Sequence, residues 1–178
     1  MIKSFLAVAI AVALVGCASV SSDSATEPQE VSAYEISREL VPLLDAVSTF
    51  TNTDYAEGSE SPYTPQIYQA VKDTYDRIGP AKQRWMRFTD SLDYTEVDIP
   101  GLEQAVVDYN EALDDWQDVQ DDSMQVWDAC FDLGGDDMEM SMCLLAGVDP
   151  EAEGQALDAY ISALTQLFST LDISIPSS

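Results

Sequence analysis

The chain has 178 residues, with 33 acidic side chains, seven basic ones and no histidine, so its formal net charge at pH 7 is −26. This length fits one domain, but the charge argues against nucleic acid and against a polybasic contact with anionic lipid, because phosphates are bound through Lys and Arg. The lack of histidine excludes Ser-His-Asp and Cys-His catalytic units and His-containing metal sites, so an enzyme would have to work with carboxylates, Tyr or Lys.

Residues 1–16 have the pattern of a targeting segment. Lys3 is followed by an apolar run from Phe5 to Val15, which is too short for a membrane-spanning helix. The run leads into Leu14-Val15-Gly16-Cys17, which resembles the lipobox of bacterial lipoprotein precursors. The resemblance implies that residues 1–16 are a signal peptide and that Cys17 carries the lipid, with fatty acyl chains such as palmitate that anchor the protein in a membrane.

The residues after the lipobox-like sequence bear on the location of the protein. In the sorting rule for bacterial lipoproteins, Asp after the cysteine favours the inner membrane, so Ala18 favours the outer membrane. Residues 17–32 are mostly small and polar, which predicts a flexible tether that holds the domain in the periplasm, with the cell surface as an alternative. The alternative is that residues 1–16 belong to an ordinary secretory signal peptide that is cleaved near Ala18, in which case Cys17 has no role.

Apolar residues at helical spacing recur through most of residues 33–175, and no stretch has the alternation of a strand. A first helix is predicted from about Ala33 to Thr51, with Pro42 inside it, where the missing backbone donor should kink or restart the helix. A loop is predicted from Thr53 to Thr64. These features indicate an all-α domain.

Two helices are predicted between residues 64 and 92. Thr64 is suited to cap the second helix and Pro65 to occupy its first turn. Gly79-Pro80 is predicted to end it, because Gly suits a helix stop and Pro cannot continue the hydrogen-bond ladder. The third helix is predicted from about Pro80 to Leu92.

The longest predicted helix runs from Pro100 to Leu133. Its apolar residues share one face, namely Leu102, Val106, Tyr109, Leu113, Trp116, Val119, Val126, Trp127 and Cys130. Ten Asp and Glu residues and no Lys or Arg cover the rest, so the helix has to bury its apolar face against other helices.

The long helix is predicted to end near Gly134-Gly135. A short helical piece follows from about Asp136 to Leu145, and Asp149 is suited to cap a last helix with an apolar face between Leu157 and Leu171. The predicted fold is therefore an all-α antiparallel bundle of about four main helices, with a short disulfide-linked extra helix, over residues 33–175.

Three cysteines occur, and lipidation of Cys17 leaves Cys130 and Cys143 as a pair. Export to an oxidising compartment predicts a disulfide between them, whereas a free redox or metal-binding pair is the alternative. Between them lie Met138, Met140 and Met142. These methionines are compatible with a copper(I) site, with an adaptable contact surface for a partner, or with packing of some of them under the disulfide.

The basic residues are concentrated in one window, at Lys72, Arg77, Lys82, Arg84 and Arg87. Trp and Arg are enriched at the energetic centres of protein interfaces, which makes Lys82, Arg84, Trp85 and Arg87 candidate partner-binding residues. The alternative is that the cations pair with carboxylates inside the bundle and cover apolar surface with their stems.

The acidic clusters raise the alternative of a cation-binding protein. The candidates are Asp118/Asp121/Asp122, Asp132/Asp136/Asp137/Glu139 and Asp93/Glu96/Asp98, and none matches the calcium loop of an EF-hand.

Taken together, these features lead us to expect a non-enzymatic binding or assembly-accessory protein of the cell envelope, with a protein partner, no cofactor and no nucleic acid. A cation-binding protein, or a carboxylate-based enzyme with a pocket holding two carboxyls of separated pKa, is the alternative.

Overall fold

The computed structural model describes residues 31–53, 64–134 and 137–173, and these residues form helices and no strand. The helices are α1 Ala33–Thr51, α2 Pro65–Tyr75, α3 Ile78–Asp90, α4 Leu102–Leu133, α5 Asp137–Gly147 and α6 Pro150–Thr170. The all-α prediction is confirmed. The predicted signal peptide, Cys17, nearly all of the tether and most of the loop before Thr64 lie outside the described residues. Within the described part of the chain, no helix has the length and apolar character needed to cross a membrane.

The neighbours of α4 run antiparallel to it on two sides. On one side the α2–α3 pair follows α4 through the contacts Tyr68–Asp128, Tyr75–Asp121, Lys82–Gln117 and Trp85–Asn110. On the other side α6 follows it through Ser123–Glu153, Trp116–Tyr160 and Asp108–Gln166. At 32 residues α4 is about 48 Å long, so it forms the axis along which the other helices are arranged.

Most of the predicted apolar face of α4 is buried, but the second half of the face differs from the prediction. Val119 and Val126 are only partly buried, and Gln120 and Ser123 are buried in addition. The buried positions keep the 3.6-residue period, and a polar side chain is tolerated there when it is hydrogen-bonded. The Ser123 hydroxyl donates to Glu153 Oε1 at 2.6 Å, which links α4 to α6.

The predicted helix stop at Gly79-Pro80 is wrong. Helix α2 ends at Tyr75, and Gly79 and Pro80 lie in the first turn of α3. Pro80 has no backbone donor for the carbonyl of Asp76 and its ring would clash with that carbonyl, so the chain has to break one turn before the proline.

In α1, by contrast, the helix is continuous through Pro42, and the predicted alternative of a restart there is wrong.

An aromatic cluster forms the centre of the main core. Trp85, Tyr109 and Trp116 are fully or almost fully buried, and Tyr160 of α6 lies between the last two with ring centroids 5.6 Å from Tyr109 and 5.7 Å from Trp116. The hydroxyls of Tyr109 and Tyr160 are 3.2 Å apart, so each buried group has a partner. Burial raises the pKa of Tyr160 to about 12, which keeps this phenol neutral at physiological pH.

A second, smaller core lies at the C-terminal end of α4. Cys130 and Cys143 form a disulfide with their Cα atoms 5.8 Å apart, so the predicted pairing is confirmed. With Trp127, Met140 and Leu144 they hold α5 against α4. For a bridge between residues 13 apart, the constraint on the unfolded chain corresponds to a stabilisation of about 3 kcal/mol. We call this part, the end of α4 from Trp127 together with α5, the disulfide lobe.

The close approach of α5 to α4 generates a test with two glycines. A Cβ added at Gly147 would lie 2.5 Å from Val126 Cγ1, and the stiff β-branched side chain of Val126 has few ways to move aside. We expect Gly147→Ala to lower the free energy of unfolding by about 1–2 kcal/mol, as measured by urea denaturation. Gly154→Ala is the control, because nothing lies within 4 Å of its added Cβ, and it should raise stability by about 0.5–1 kcal/mol. Equal effects of the two substitutions would contradict this packing.

Candidate functional site

The basic window does not form a free cationic surface. Lys72 pairs with Asp128 at 2.9 Å, Lys82 pairs with Asp114, and Arg84 pairs with Glu39 at 2.7 Å. These contacts connect α2 and α3 to α4 and to α1. The alternative of internal pairing therefore accounts for three of the five cations of the window.

Arg84, one of the predicted partner-binding residues, is engaged by α1. Its Nε and Nη2 atoms both donate to Glu39 Oε2, at 3.0 Å and 2.7 Å. The hydrogen bond from Arg84 holds the pKa of the Glu39 carboxyl below its usual range. A partner carboxylate would therefore meet a guanidinium whose charge Glu39 already offsets, with only its remaining N–H groups to bind.

Lys72 belongs to a cluster beside the disulfide lobe. The Tyr68 hydroxyl donates to Asp128 Oδ1, and Lys72 Nζ donates to both carboxylate oxygens of Asp128 at 2.9 Å and 3.1 Å. The Tyr68 ring stacks on Phe131 with centroids 4.3 Å apart. Hydrogen bonds from Tyr68 and Lys72 lower the pKa of Asp128, so the carboxylate stays ionised and the cluster fastens α2 to the end of α4.

Trp85 is not a contact residue, and its assignment to a partner-binding patch is wrong. Its side chain is fully buried, and its indole nitrogen donates to Asn110 Oδ1 at 2.8 Å. The reason is that Trp85 shares the inward face of α3 with Thr89, one turn later, which is also buried. Of the four predicted patch residues, only Arg87 is exposed without an acidic partner among the described residues.

The exposed face of α5 is the most unusual surface among the described residues. Met138, Met142 and Leu145 are 72%, 65% and 78% exposed. Their spacing of four and three residues places them on one side of the helix, and we call them the α5 row. The opposite side carries Met140 and Leu144, which are buried against α4. A helix that is apolar on both sides is normally buried on both sides, so the α5 row is a candidate contact surface.

The three methionines between the cysteines therefore have different positions. Met140 packs under the disulfide, whereas Met138 and Met142 are exposed on the other side of α5. Three thioethers divided in this way do not converge on one point, as a copper(I) site would require. The arrangement agrees with the packing alternative for Met140, and it leaves the contact-surface alternative open for Met138 and Met142 because they are exposed.

The acidic residues of the described part form no arrangement suited to a metal ion. No group of three or more Cys, Asp or Glu side chains there is placed to hold one. Asp121 accepts a hydrogen bond from the Tyr75 hydroxyl at 2.6 Å, and Asp93 accepts from Thr95. Hydrogen bonds from Thr95 lower the pKa of Asp93. The hydrogen bonds described above lower the pKa of Glu39 and of Asp128 in the same way. A general acid needs a raised pKa, so these three carboxyls are not suited to that role.

An open groove of about 570 Å³ lies where the loop before α4 meets the first turns of that helix. Tyr94, Val97, Ile99 and Val107 give it apolar walls, and Asp98 and Glu103 stand among them. The Tyr94 hydroxyl is used by the protein itself, because it donates to the carbonyl of Thr89 at 3.1 Å. The groove therefore offers an open surface on which two carboxylates, Asp98 and Glu103, lie among apolar side chains.

The chain matches no protein-family model, no characterised protein and no solved structure. No relative therefore supplies functional residues. The assignment of function has to come from the surface of this chain, and the α5 row is a group of three large apolar side chains that are exposed together on one side of a helix.

The placement of Trp85 and Arg87 is tested by a pair of substitutions on α3. Trp85→Ala should lower the free energy of unfolding by about 3–5 kcal/mol, because it empties a site in the main core and leaves Asn110 without its donor. Arg87→Ala should change it by less than about 0.5 kcal/mol, because Arg87 is exposed and unpaired among the described residues. Urea denaturation followed by circular dichroism measures both. A small effect of Trp85→Ala would return Trp85 to the list of contact residues.

Proposed function

We propose that this protein is a lipid-anchored, non-enzymatic binding or assembly-accessory protein of the bacterial cell envelope, and that the α5 row is its contact surface for a protein partner. The observation that carries the binding role is the exposure of Met138, Met142 and Leu145 on one side of a helix whose other side is buried. Large exposed apolar side chains that are grouped together mark contact sites in soluble domains.

The proposed location is supported by three features of the chain. The lipobox-like sequence that ends in Cys17 supports attachment to a membrane, and Ala18 supports the outer membrane. The Cys130–Cys143 disulfide fits an oxidising compartment such as the periplasm, because disulfides are rare in the reducing cytosol. The domain would then face the periplasm, at the end of a tether that begins at the lipid.

The energetics of the α5 row fit a contact of moderate strength that the anchor makes effective. Full burial of a Met or Leu side chain contributes about 1.5–3 kcal/mol, so three such residues offset a substantial part of the entropy lost on association. A partner held in the same membrane would meet the row at a high effective concentration. The lipid would therefore strengthen binding without adding a contact.

The anchor is tested at the lipobox-like sequence. Cys17→Ala should abolish incorporation of a labelled fatty acid and move the protein from the membrane fraction to the soluble fraction, because the sulfur that would carry the lipid is lost. Val15→Ala is the control, since that position of a lipobox tolerates substitution. Fatty acid labelling that persists in Cys17→Ala would show that Cys17 is not the lipidated residue.

The contact surface is tested by crosslinking in intact cells. A photo-reactive amino acid at Leu145 should give a discrete crosslinked product, because the side chain lies in the proposed contact. The same amino acid at Ile161 of α6, which is 42% exposed, is the control and should not give that product. Identical products at the two positions, or none at Leu145, would contradict the assignment of the α5 row.

A further inference from the structure

We propose that the partner surface recognised by the α5 row is a basic amphipathic helix, with an apolar stripe that packs on the row and Lys or Arg residues on both sides of that stripe. This inference deepens the proposed function and rests on it. It follows from the shape of the row, from the charges around it and from its position relative to the N-terminal tether.

The shape of the row fits another helix. From Met138 to Leu145 the row spans seven residues, or about 10 Å along the axis of α5, which is two helical turns. A partner helix presents apolar residues with the same period of three and four, so the ridges of one helix can pack between those of the other. Two of the three side chains are methionines, whose unbranched thioethers adapt to ligands of different shape.

The charges around the row call for a cationic partner. No Lys or Arg occurs after Arg87, whereas 22 of the 33 acidic residues do. The only charged residues in the sequence of α5 are the acidic Asp137 and Glu139, and Asp132, Asp149 and Glu151 are exposed at the adjoining helix ends. Lys72 is the cation that reaches the disulfide lobe, and its charge is paired with Asp128. An apolar stripe flanked by Lys and Arg would therefore be complementary to this surface.

The position of the row favours a protein over the membrane that holds the tether. Helix α1 runs parallel to α4. Phe50, near the end of α1, lies beside Trp116 of α4. Glu39, nearer the start of α1, pairs with Arg84, and the next residue, Trp85, binds Asn110, which precedes Trp116 on α4. The tether therefore joins the bundle near the N-terminal end of α4, and the disulfide lobe lies at the other end, about 40 Å away. Anionic lipid headgroups would also repel a domain of this charge.

The charge also disfavours a second copy of the chain as the occupant of the row. Two molecules with a net charge of −26 repel each other, and acidic residues flank the row in both copies. A basic helix would instead be attracted before contact, and its association should become slower and weaker as salt screens the charges.

The test uses the soluble form of the full mature chain, obtained with Cys17→Ala, and three synthetic peptides of about five helical turns. The first has Leu at helical spacing with Lys on the remaining face, the second has the same composition in scrambled order, and the third has Glu in place of Lys. Fluorescence anisotropy measures binding. We expect saturable binding of the first peptide, binding at least about tenfold weaker for the scrambled one, and none for the Glu peptide.

Substitutions in the row decide where the peptide binds. Met142→Ser with Leu145→Ser should weaken binding of the Leu/Lys peptide by about 10- to 100-fold, because two contact side chains are removed. The matched control is Val107→Ser with Ile161→Ser, which removes two apolar side chains of similar exposure, 43% and 42%, from α4 and α6. The control should change affinity by less than about twofold, and thermal melts should show that both double variants are folded.

Several results would overturn the inference. Equal binding of the ordered and scrambled peptides, or equal loss in both double variants, would mean that the acidic charge alone attracts the peptide. Binding to neutral or anionic phospholipid vesicles that is lost in the Met142/Leu145 variant would identify a membrane as the occupant. A dimer in sedimentation experiments that is lost in the same variant would identify a second copy. If crosslinking at Leu145 succeeds while the Leu/Lys peptide fails to bind, the proposed function stands and this inference falls.

Discussion

The structure depends on the burial of the apolar face of α4. This one helix contacts the α2–α3 pair on one side and α6 on the other, and α5 is fastened to its end. Its remaining surface is acidic along the whole length, so it cannot associate with its neighbours through charge attraction except where they supply cations. Because α6 contains no Lys or Arg, α4 and α6 are held together by buried apolar side chains, among them the aromatic cluster of Trp116, Tyr109 and Tyr160.

The scarcity of cations explains why the basic window is structural. Lys72, Lys82 and Arg84 each pair with a carboxylate on a different helix, and two of the three partners are on α4. Such pairs near the surface contribute little stability on their own, but they also remove like-charge repulsion at the places where acidic helices come closest. A local excess of positive charge in an acidic chain is thus explained by the needs of packing, and it does not by itself indicate a binding site.

Local sequence signals predicted the fold well where they carry their own physical cause. Thr64 and Asp149 cap helices because their side chains accept backbone hydrogen bonds, and the disulfide agrees with the pairing predicted from the number of cysteines and the expected oxidising compartment. Trp85 was different, because a tryptophan between two cations fits an interface and a core equally well until the neighbouring helices are placed. The sequence prediction misplaces the break before Pro80 because it assigns the helix stop to Gly79, whereas the steric effect of a proline acts on the preceding turn. The sequence raises a contact role for the methionines of α5, but it cannot show which of them are exposed, since α5 has apolar residues on both sides and no periodicity shows which side is buried.

The way α5 is attached makes the exposed row suitable for recognition. The disulfide and the buried side chains of Met140 and Leu144 hold the helix from one side, so the other side is ordered before a partner arrives. A partner then does not have to order the helix, and more of the free energy of contact is available for binding. The disulfide lobe has its own small core, separate from the aromatic cluster around Trp116 and Tyr160. Substitutions of Met142 or Leu145 should therefore leave the main core intact, which makes the proposed recognition separable from folding in experiment.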